Sequence, residues 1–303
     1  MHTPGPEDEG GMPKVSVIIP VKNGERYLRE ALDSVMAQTF REFEVVVADD
    51  ASTDGTAAIA RSYPSVRYIY RERSEGVSRA RNAAIRAAEG QYIASLDCDD
   101  LWYPEKLALQ VPILDRDSFT GVVYSDQEWI DQEGRTIRVV PHSNWPKGWD
   151  RYFCGGHNIG PSTMLVRKEL IEKIGYYDEE LWANEDKDLN IRLHDICQIK
   201  CVEKALIKKR RSPKSFEARH NQREEVLNSA LIFLRKLERR VLTSEQARYL
   251  DLEWSYYHSN LGKYLIGKGQ RSQAVQSYLS AIRRAPFVAK TYGRLFRCLL
   301  RLQ

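Results

Sequence analysis

The stretch VSVIIPVKNGERYLREALDSVMAQTFREFEVVVADD, from Val15 to Asp50, decides the fold of this chain. Residues 15–20 and 43–48 are short β-branched runs, which are typical of buried strands. Over residues 27–36, apolar side chains recur at intervals of three and four, which predicts an amphipathic helix. Two strands that are joined through a helix usually pair in parallel, so the stretch predicts a strand–helix–strand unit.

The same alternation continues along the chain and indicates an α/β domain. Further strands are predicted at 66–70, 91–96, 121–124, 162–166 and 199–208, and further helices at 52–63, 77–88, 168–174 and 186–194. Repeated strand–helix–strand units predict a mostly parallel central sheet with helices on both faces. Ligands of such sheets bind beyond the carboxyl ends of the strands, where Asp50 and the residues 97–100 are expected.

The sequence becomes almost wholly helical near residue 221. We therefore expect a disordered tail at 1–12, an α/β domain at 13–220 and a helical region at 221–303. Several residues of the helical region fall at the offsets of the tetratricopeptide repeat: Leu261-Gly262, Ala274, Tyr278, Ala281 and Pro286. They account for one repeat and the first helix of another, so we expect a short helical appendage.

The composition is that of a globular protein, with 42% apolar and 29% charged residues. The net charge of +4 is mild and does not indicate a nucleic-acid partner. The five cysteines contain no Cys-x-x-Cys pair, so free thiols in a reducing cytosol are expected. Because no apolar run reaches the length of about 18 residues that spans a bilayer, we expect a cytoplasmic protein that is soluble or peripheral to the membrane.

The last part of the chain is strongly basic. From Arg271 onward it contains seven Lys or Arg residues and no Asp or Glu. Apolar residues at helical spacing lie between the arginines, so packing as a terminal helix is the ordinary interpretation. The alternatives are contact with anionic lipid at the inner face of the plasma membrane and contact with a protein partner.

Three aspartates, Asp97, Asp99 and Asp100, directly follow the predicted strand at 91–96. At separations of about 4–6 Å and an effective dielectric constant near 20, each pair of carboxylates repels by roughly 3–4 kcal/mol. A hard divalent cation such as Mg²⁺ or Mn²⁺ removes this repulsion, because such ions prefer oxygen ligands. Triplets of this kind also occur in exposed loops, so the tripeptide alone leaves both interpretations open.

Several spaced motifs occur in one order along the chain. They are the opening strand ending in Pro20, Gln38-Thr39, Asp49-Asp50 with the turn Ser52-Thr53-Asp54-Gly55-Thr56, Arg81-Asn82, Leu96-Asp97-x-Asp99-Asp100 with Pro104, and GYYDEELWANEDKDLNIRL with its pair Glu185-Asp186. Together they resemble the nucleotide-sugar domain of glycosyltransferase family 2, over residues 13–215. The resemblance implies a GT-A type α/β sandwich that transfers a sugar with inversion. The donor would be a nucleoside-diphosphate sugar, first of all a UDP-sugar, and the acceptor a glycan or a lipid-linked molecule.

On the donor side, the resemblance implies a nucleotide pocket at the carboxyl ends of the strands. Pro20 and Val21 would line the base through their backbone, and Asp50 would hydrogen-bond the imide of a pyrimidine. The alternative role of Asp50 is a favourable charge at a helix N-terminus. Asp97 would bind the ribose side of the nucleotide. Arg79 and Arg81 would contact the diphosphate. The alternative for both arginines is a position on a solvated or ion-paired helix face.

The resemblance also implies that Asp99 holds Mn²⁺ or Mg²⁺ on the diphosphate, while Asp100 caps the following helix or supports Asp99. Family members often carry a histidine that completes the metal site after the last strand. Here Ser212 follows Arg210-Arg211 where that histidine is expected, and His220 is the possible substitute or a solvated surface residue.

On the acceptor side, the resemblance implies that Asp186 is the general base, with its neighbour Glu185 as the fallback. An inverting transfer needs one carboxylate that takes the proton of the acceptor hydroxyl. The alternative for Asp186 is capping of the helix that it opens. Trp182 and His157 are candidates for contact with the acceptor. The alternative for Trp182 is packing in the core or at its rim, and the alternative for His157 is a position in a loop without a function.

Two functions therefore remain open. The first is an inverting glycosyltransferase, which the joint presence of Asp50, Asp97, Asp99 and Asp186 favours. The second is a non-catalytic nucleotide-sugar-binding or interaction protein built on a degenerate transferase domain, which Ser212 favours. A dinucleotide-dependent dehydrogenase is disfavoured, because no Gly-x-Gly-x-x-Gly motif follows the first strand.

Overall fold

The computed structural model of the chain describes residues 12–142, 159–211, 224–240 and 242–300. The chain divides into two compact units. The described residues of the first unit are 12–142, 159–179 and 185–211, and those of the second are 180–184, 224–240 and 242–300. The predicted border at residue 220 and, apart from Met12, the predicted tail lie outside the described residues.

Nine strands form one sheet among the described residues of the first unit. They are β1 (Val15–Val21), β2 (Phe43–Asp49), β3 (Val66–Tyr70), β4 (Tyr92–Ser95), β5 (Leu101–Trp102), β6 (Thr120–Ile130), β7 (Thr136–Val140), β8 (Leu165–Arg167) and β9 (Gln198–Arg210). Their order is β3-β2-β1-β4-β8-β6-β9-β5. Strand β7 is not part of this order and pairs with β6. Six strands, β1 to β4 with β6 and β9, run in one direction.

The helices of the first unit connect these strands as the apolar periodicity predicted. Among the described residues they are α1 (Leu28–Met36), α2 (Thr56–Arg61), α3 (Val77–Ala87), α4 (Lys106–Arg116), α5 (Lys168–Lys173) and α6 (Glu185–His194), with a 3₁₀ turn at Pro161–Thr163. In α1 the buried face consists of Leu28, Ala31, Leu32 and Val35. These side chains join the core formed by β1 and β2, so the spacing in the opening stretch is the cause of its helix.

The register of the central strands places the residues that follow β2 and β4 at one edge of the sheet. β1 lies between β2 and β4 and runs parallel to both, with Val21 opposite Asp49 and Ile18 opposite Ser95. All residues of β1 are buried. Asp50 and the turn that follows β4 therefore leave the sheet at the same carboxyl edge.

The sheet differs from the prediction at three places. The strand expected at 162–166 begins as the 3₁₀ turn at Pro161–Thr163, and β8 starts only at Leu165. Pro161 lacks an N–H group, and Ser162 uses its hydroxyl and carbonyl groups in tertiary hydrogen bonds instead of a strand ladder. The short strands β5 and β7 escaped prediction: the first has two residues, and the second is mostly exposed.

Four helices form most of the described part of the second unit: α7 (Glu224–Glu238), α8 (Ser244–Gly267), α9 (Arg271–Arg284) and α10 (Ala289–Leu299). The expectation of a helical C-terminal region is thereby confirmed, while its likeness to tetratricopeptide repeats stays a prediction. Residues 180–184 are tied to α7, because the Ser229 hydroxyl accepts the N–H of Ala183 at 2.9 Å and donates to its carbonyl at 2.6 Å.

A glycine sets the distance between α8 and α9. A Cβ atom on Gly262 would lie 2.6 Å from the ring of Tyr278, which is buried. We expect Gly262→Ala to lower the free energy of unfolding of the helical unit by about 1–2 kcal/mol, because overpacking outweighs the gain in helix propensity. Gly267→Ala in the same helix is the matched control, since nothing lies within 4 Å of its Cβ position. Urea denaturation measures both, and equal stabilities of the two variants would contradict the close contact.

Candidate functional site

Asp50 follows β2 and is almost fully buried, with 3% of its surface exposed. Its carboxylate accepts hydrogen bonds from the Ser74 hydroxyl at 2.7 Å and from the main-chain N–H groups of Glu75 and Gly76, each at 3.0 Å. The guanidinium of Arg71 lies 3.5 Å away. These donors come from the turn that leads into α3, so Asp50 fixes this turn at the carboxyl edge of the sheet.

The residues around Asp50 close the ends of β1 and β2. Pro20 and Val21 are buried at the end of β1, and the Val21 carbonyl accepts the Asp50 N–H at 2.8 Å. Asp49 accepts a hydrogen bond from the Tyr68 hydroxyl at 2.7 Å. Burial and the Asp49 carboxylate raise the pKa of Tyr68, which keeps this hydroxyl protonated as a donor. Asp49 thus supports the neighbouring strand, while Asp50 supports the turn.

The residues Asp97–Asp100 form a turn after β4, closed by a hydrogen bond of 3.0 Å from the Asp100 N–H to the Asp97 carbonyl. Ser162 holds both ends of the turn, because its hydroxyl accepts the Asp97 N–H at 3.1 Å and donates to the Asp100 carboxyl group at 2.7 Å. The Arg210 N–H donates to the other oxygen of Asp100 at 3.0 Å. The turn is therefore fixed by two distant segments of the chain.

Asp100 does not cap the helix that follows it. Helix α4 begins at Lys106, the side chain of its N-cap residue Glu105 makes no capping hydrogen bond, and the Leu107 N–H of its first turn donates to the Gln38 amide oxygen at 3.0 Å. The predicted capping role is wrong, because both oxygens of this buried carboxyl group are engaged by Ser162 and Arg210.

The three carboxyl groups of the turn differ in their ionisation. Burial opposes the ionisation of Asp97, but the charges of Arg81 and Lys209 and the hydrogen bond from Arg81 together outweigh burial and lower its pKa. The protein that surrounds part of the side chain, and then the charge of Asp97, raise the pKa of Asp99, although the rest of its side chain is exposed at the surface. Burial and then the charge of Asp99 raise the pKa of Asp100 to about 8. Asp100 is thus largely protonated at neutral pH, which reduces the repulsion within the turn.

Arg81 in α3 connects the aspartate turn with α6. It is 4% exposed, and its two terminal nitrogens lie 2.8 Å from the Asp97 carboxylate and 2.9 Å from the Glu185 carboxylate. Its guanidinium also lies 5.2 Å from the centre of the Tyr177 ring. A buried guanidinium requires such partners, so Arg81, Asp97, Glu185 and Tyr177 form one unit at the sheet edge.

Arg79 has different surroundings. It is half-exposed and pairs with Glu75 at 2.8 Å and Glu179 at 3.5 Å. The structure therefore places Arg79 on an ion-paired helix face and Arg81 in the interior.

Helix α6 opens with two acids in unequal surroundings. The side chain of Glu185 is 12% exposed and faces Arg81. Burial and then the charge of Asp186 raise the pKa of Glu185 to about 7, against the opposing effect of Arg81. Asp186 is half-buried, and its carboxylate accepts the Lys187 N–H at 2.7 Å. The structure thus holds Glu185 in an ion pair and leaves part of Asp186 open to solvent.

The remaining predicted site residues divide into two groups. Trp182 belongs to the second unit and is 43% exposed. His157, His220 and Ser212 lie outside the described residues. Within the described part of the chain, no three His, Cys, Asp or Glu side chains converge in a way that could hold a metal ion.

Three residues at the site escaped the sequence prediction: Ser162, Tyr177 and Lys209. The positive charge of Lys209 favours the ionised form of all three aspartates of the turn. It helps to lower the pKa of Asp97 and opposes the increase in the pKa values of Asp99 and Asp100. The basic run KKRR at the end of β9 was the available signal for this lysine. No local pattern distinguishes Ser162 or Tyr177, because both act through tertiary contacts.

In the ranges that the structure describes, no helix has the length and apolar character to cross a membrane.

Comparison with known proteins identifies the family. Residues 16–175 match the family described as glycosyl transferase family 2. An uncharacterized glycosyltransferase of Rickettsia prowazekii is 36% identical over 232 residues, which cover 74% of this chain and 73% of the relative. The chain belongs to glycosyl transferase family 2. The family that the motifs resembled is thereby confirmed, and the protein is a glycosyltransferase.

Solved structures share the fold. S. aureus TarS 1–349 in complex with UDP-GlcNAc superimposes with a TM-score of 0.70 at 22% identity, covering 95% of this chain and 88% of that chain. The mannosyltransferase PcManGT from Pyrobaculum calidifontis, in complex with GDP-Man and Mn²⁺, gives a TM-score of 0.62 at 19% identity, covering 99% and 89%. These likenesses confirm the predicted GT-A type α/β fold with its helical C-terminal region.

The raised pKa of Asp100 predicts a pH-dependent stability. An ionising carboxyl group with a folded pKa near 8 destabilises the fold increasingly as the pH rises from about 4 to 8. Asp100→Asn cannot ionise, and its amide oxygen still accepts the Arg210 N–H, while its NH₂ group faces the Ser162 hydroxyl, which then accepts instead of donating. Between pH 5 and pH 8, we expect the free energy of unfolding of the variant to increase by about 1 kcal/mol or more relative to that of the natural protein. Urea denaturation across this range is the measurement, and parallel pH profiles would contradict the raised pKa.

Proposed function

We propose that this glycosyltransferase is an inverting enzyme whose donor is a nucleoside-diphosphate sugar, with a UDP-sugar as the first candidate. One observation carries the proposal: Arg81 joins Asp97, at the carboxyl edge of the sheet, to the acid pair that opens α6. Arg81 thereby holds the carboxylate that is proposed to bind the donor, Asp97, close to the acid pair that is proposed to act on the acceptor, Glu185-Asp186. The UDP-GlcNAc complex of TarS supports the choice of donor.

On the donor side, the buried carboxylate of Asp50 selects a base that offers an N–H group, because an ionised carboxylate only accepts hydrogen bonds. The imide of a pyrimidine meets this requirement. Pro20 and Val21 line the base beside it through their backbone. Asp97 binds the ribose. The half-exposed Arg79 leaves its ion pairs with Glu75 and Glu179 and binds the diphosphate.

On the acceptor side, Asp186 is the general base. Its carboxylate is half-buried, so it retains access to an acceptor hydroxyl, whereas Glu185 is engaged by Arg81. Asp186 takes the proton of that hydroxyl while the oxygen attacks the anomeric carbon opposite the departing diphosphate, and this geometry inverts the configuration. The acceptor is a glycan or a lipid-linked molecule.

The described residues fit a divalent cation that shares its ligands with the donor. Mg²⁺ is commonly bound by one or two protein carboxylates and by substrate phosphates, and Mn²⁺ likewise prefers oxygen ligands. The exposed Asp99 supplies such a carboxylate, and His220 is the further ligand that the sequence predicts. A cation bound there stabilises the negative charge of the departing diphosphate.

The assignment of the base predicts the behaviour of Asp186→Asn. We expect turnover to fall by about 10²-fold or more, because the amide cannot accept the proton, while UDP affinity changes less than about twofold. Sugar transfer and calorimetric UDP binding are the measurements. Asp195→Asn is the matched control, since Asp195 is exposed just beyond the other end of α6. Retained transfer activity in Asp186→Asn would place the base elsewhere.

The second candidate function is binding of a nucleotide sugar without turnover, which Ser212 in place of the expected histidine favours. The same assay separates the two. A panel of UDP- and GDP-sugars is incubated with the natural protein and Mn²⁺, and release of the nucleoside diphosphate is followed. Donor that is bound but stays intact, with or without an acceptor, would identify a binding protein.

We also propose that α10 contacts an anionic membrane surface, where a lipid-linked acceptor is presented. Its exposed face carries Tyr292, Phe296 and Leu299, which are 45%, 61% and 57% exposed and lie at helical spacing. Exposed Lys290 and Arg297 lie beside them. Aromatic and aliphatic side chains flanked by basic residues are typical of helices that lie in the membrane interface.

This contact predicts a loss of vesicle binding when the apolar face is removed. We expect the triple variant Tyr292→Ser, Phe296→Ser, Leu299→Ser to float with anionic phosphatidylglycerol vesicles at less than about a fifth of the natural recovery. Ile137→Ser with Val139→Ser on β7 is the control, because these residues are also exposed and apolar. Equal recovery of all three proteins would argue against a membrane contact of α10.

A further inference from the structure

Lys106, the first residue of α4, is completely buried although it carries an amine. Its nitrogen donates hydrogen bonds to the Gln110 amide oxygen at 2.7 Å and to the Met164 carbonyl at 3.4 Å. The same nitrogen lies 4.2 Å from the centre of the Trp102 ring. These three partners are neutral, and burial lowers the pKa of Lys106 well below its usual range. Hydrogen bonds and the indole ring therefore hold this amine in the core.

Two further donors beside Lys106 bind the same segment of the chain. The Trp102 Nε1 donates to the Ser162 carbonyl at 3.0 Å, and the Gln110 Nε2 donates to the Thr163 carbonyl at 2.9 Å. Together with the bond from Lys106, three successive carbonyl groups thus accept hydrogen bonds from three different side chains. Trp102, Lys106 and Gln110 are all buried, and we call them the three-donor cluster.

The three-donor cluster is itself attached to helix α1. The Trp102 N–H donates to the Ser34 hydroxyl at 3.1 Å, and the Leu107 N–H donates to the Gln38 amide oxygen at 3.0 Å. Both acceptors belong to α1 or directly follow its C-terminal end, and α1 packs on the core of the sheet. The cluster therefore rests on regular elements of the fold, which is the arrangement that fixes a site most precisely.

Ser162 transmits the position of the cluster to the aspartate turn. Its carbonyl is bound by Trp102, while its hydroxyl accepts the Asp97 N–H at 3.1 Å and donates to the Asp100 carboxyl group at 2.7 Å. Because one residue makes all three bonds, a shift of its carbonyl displaces the hydroxyl as well. The position of the aspartate turn therefore depends on the three-donor cluster.

We propose that the three-donor cluster positions the aspartate turn for the nucleotide-sugar donor and acts through Ser162. The proposal rests on the donor roles proposed above for Asp97 and Asp99. Trp102, Lys106 and Gln110 are positioning residues, since each acts through the segment that contains Ser162. Loss of one donor lets this segment shift, and a displacement of about 1 Å is enough to weaken a binding site strongly.

The first test removes a single hydrogen bond. Trp102→Phe keeps an aromatic ring beside the Lys106 amine but lacks the N–H group that binds the Ser162 carbonyl. Trp254→Phe is the matched control, because Trp254 is also buried and its Nε1 has no hydrogen-bond partner. UDP affinity is measured by calorimetry in Mn²⁺. We expect Trp102→Phe to bind UDP about fivefold more weakly than the natural protein, and the control less than about twofold more weakly.

A double-mutant cycle tests whether Trp102 acts through Ser162. We expect Ser162→Ala to bind UDP about tenfold more weakly than the natural protein. Adding Trp102→Phe to Ser162→Ala should then weaken binding by less than about twofold, because the connection is already lost. A general loss of stability would weaken binding equally in both backgrounds. Additive losses, or unchanged UDP affinity in Trp102→Phe, would overturn the inference.

Hydrogen exchange tests the aspartate turn in the nucleotide-free protein. We expect the Asp97 amide, which donates to Ser162, to exchange at least about fivefold faster in Trp102→Phe. Lys106→Met removes a second donor at similar side-chain length and should have the same effect. The Val47 amide in β2 is the internal control and should be unaffected in both variants. Unchanged exchange at Asp97 in both variants would contradict the positioning role.

The two proposals fail in distinguishable ways. A natural protein that binds neither UDP nor GDP, with or without Mn²⁺, would contradict the proposed donor class. The exchange measurement contains no nucleotide, so it would still decide whether the three-donor cluster fixes the aspartate turn.

Discussion

The buried charge of Arg81 is the constraint on which the site depends. A guanidinium does not lose its proton in a protein, and stripping it of water costs several kcal/mol unless carboxylates approach it closely. Asp97 and Glu185 supply these carboxylates. Loss of one partner would leave an uncompensated buried charge, at a cost of about 3–5 kcal/mol. The end of β4, helix α3 and the start of α6 are therefore held together by electrostatics as well as by apolar packing.

The crowded acids beside Arg81 show how one turn can tolerate three carboxyl groups. Asp97 is balanced by a guanidinium, while Asp100 retains its proton and satisfies both oxygens with hydrogen bonds. Only Asp99 remains exposed and open to a ligand. Unequal surroundings thus convert three identical side chains into one ion-paired group, one neutral group and one surface carboxyl group with a raised pKa.

The sequence predicted the parts of this structure that depend on local pattern. Periodic apolar residues predicted β1, α1 and the C-terminal helices, because burial selects one face of each element. The motifs predicted which edge of the sheet carries Asp50 and Asp97. The bond between Arg81 and Glu185 could not be predicted, since it joins residues 104 positions apart and depends on the packing of α3 against the edge. The unequal pKa values of the acids, and the role of Ser162, depend on the same tertiary contacts.

The saturated carboxylate of Asp50 has a consequence for recognition of a base. Three hydrogen bonds and a nearby guanidinium already satisfy it in the protein alone. An incoming N–H group therefore competes with the turn before α3, and the net gain is the difference between two sets of hydrogen bonds. For a base bound at Asp50, such an exchange would give little net affinity, because each new hydrogen bond would replace one that residues 74–76 already make.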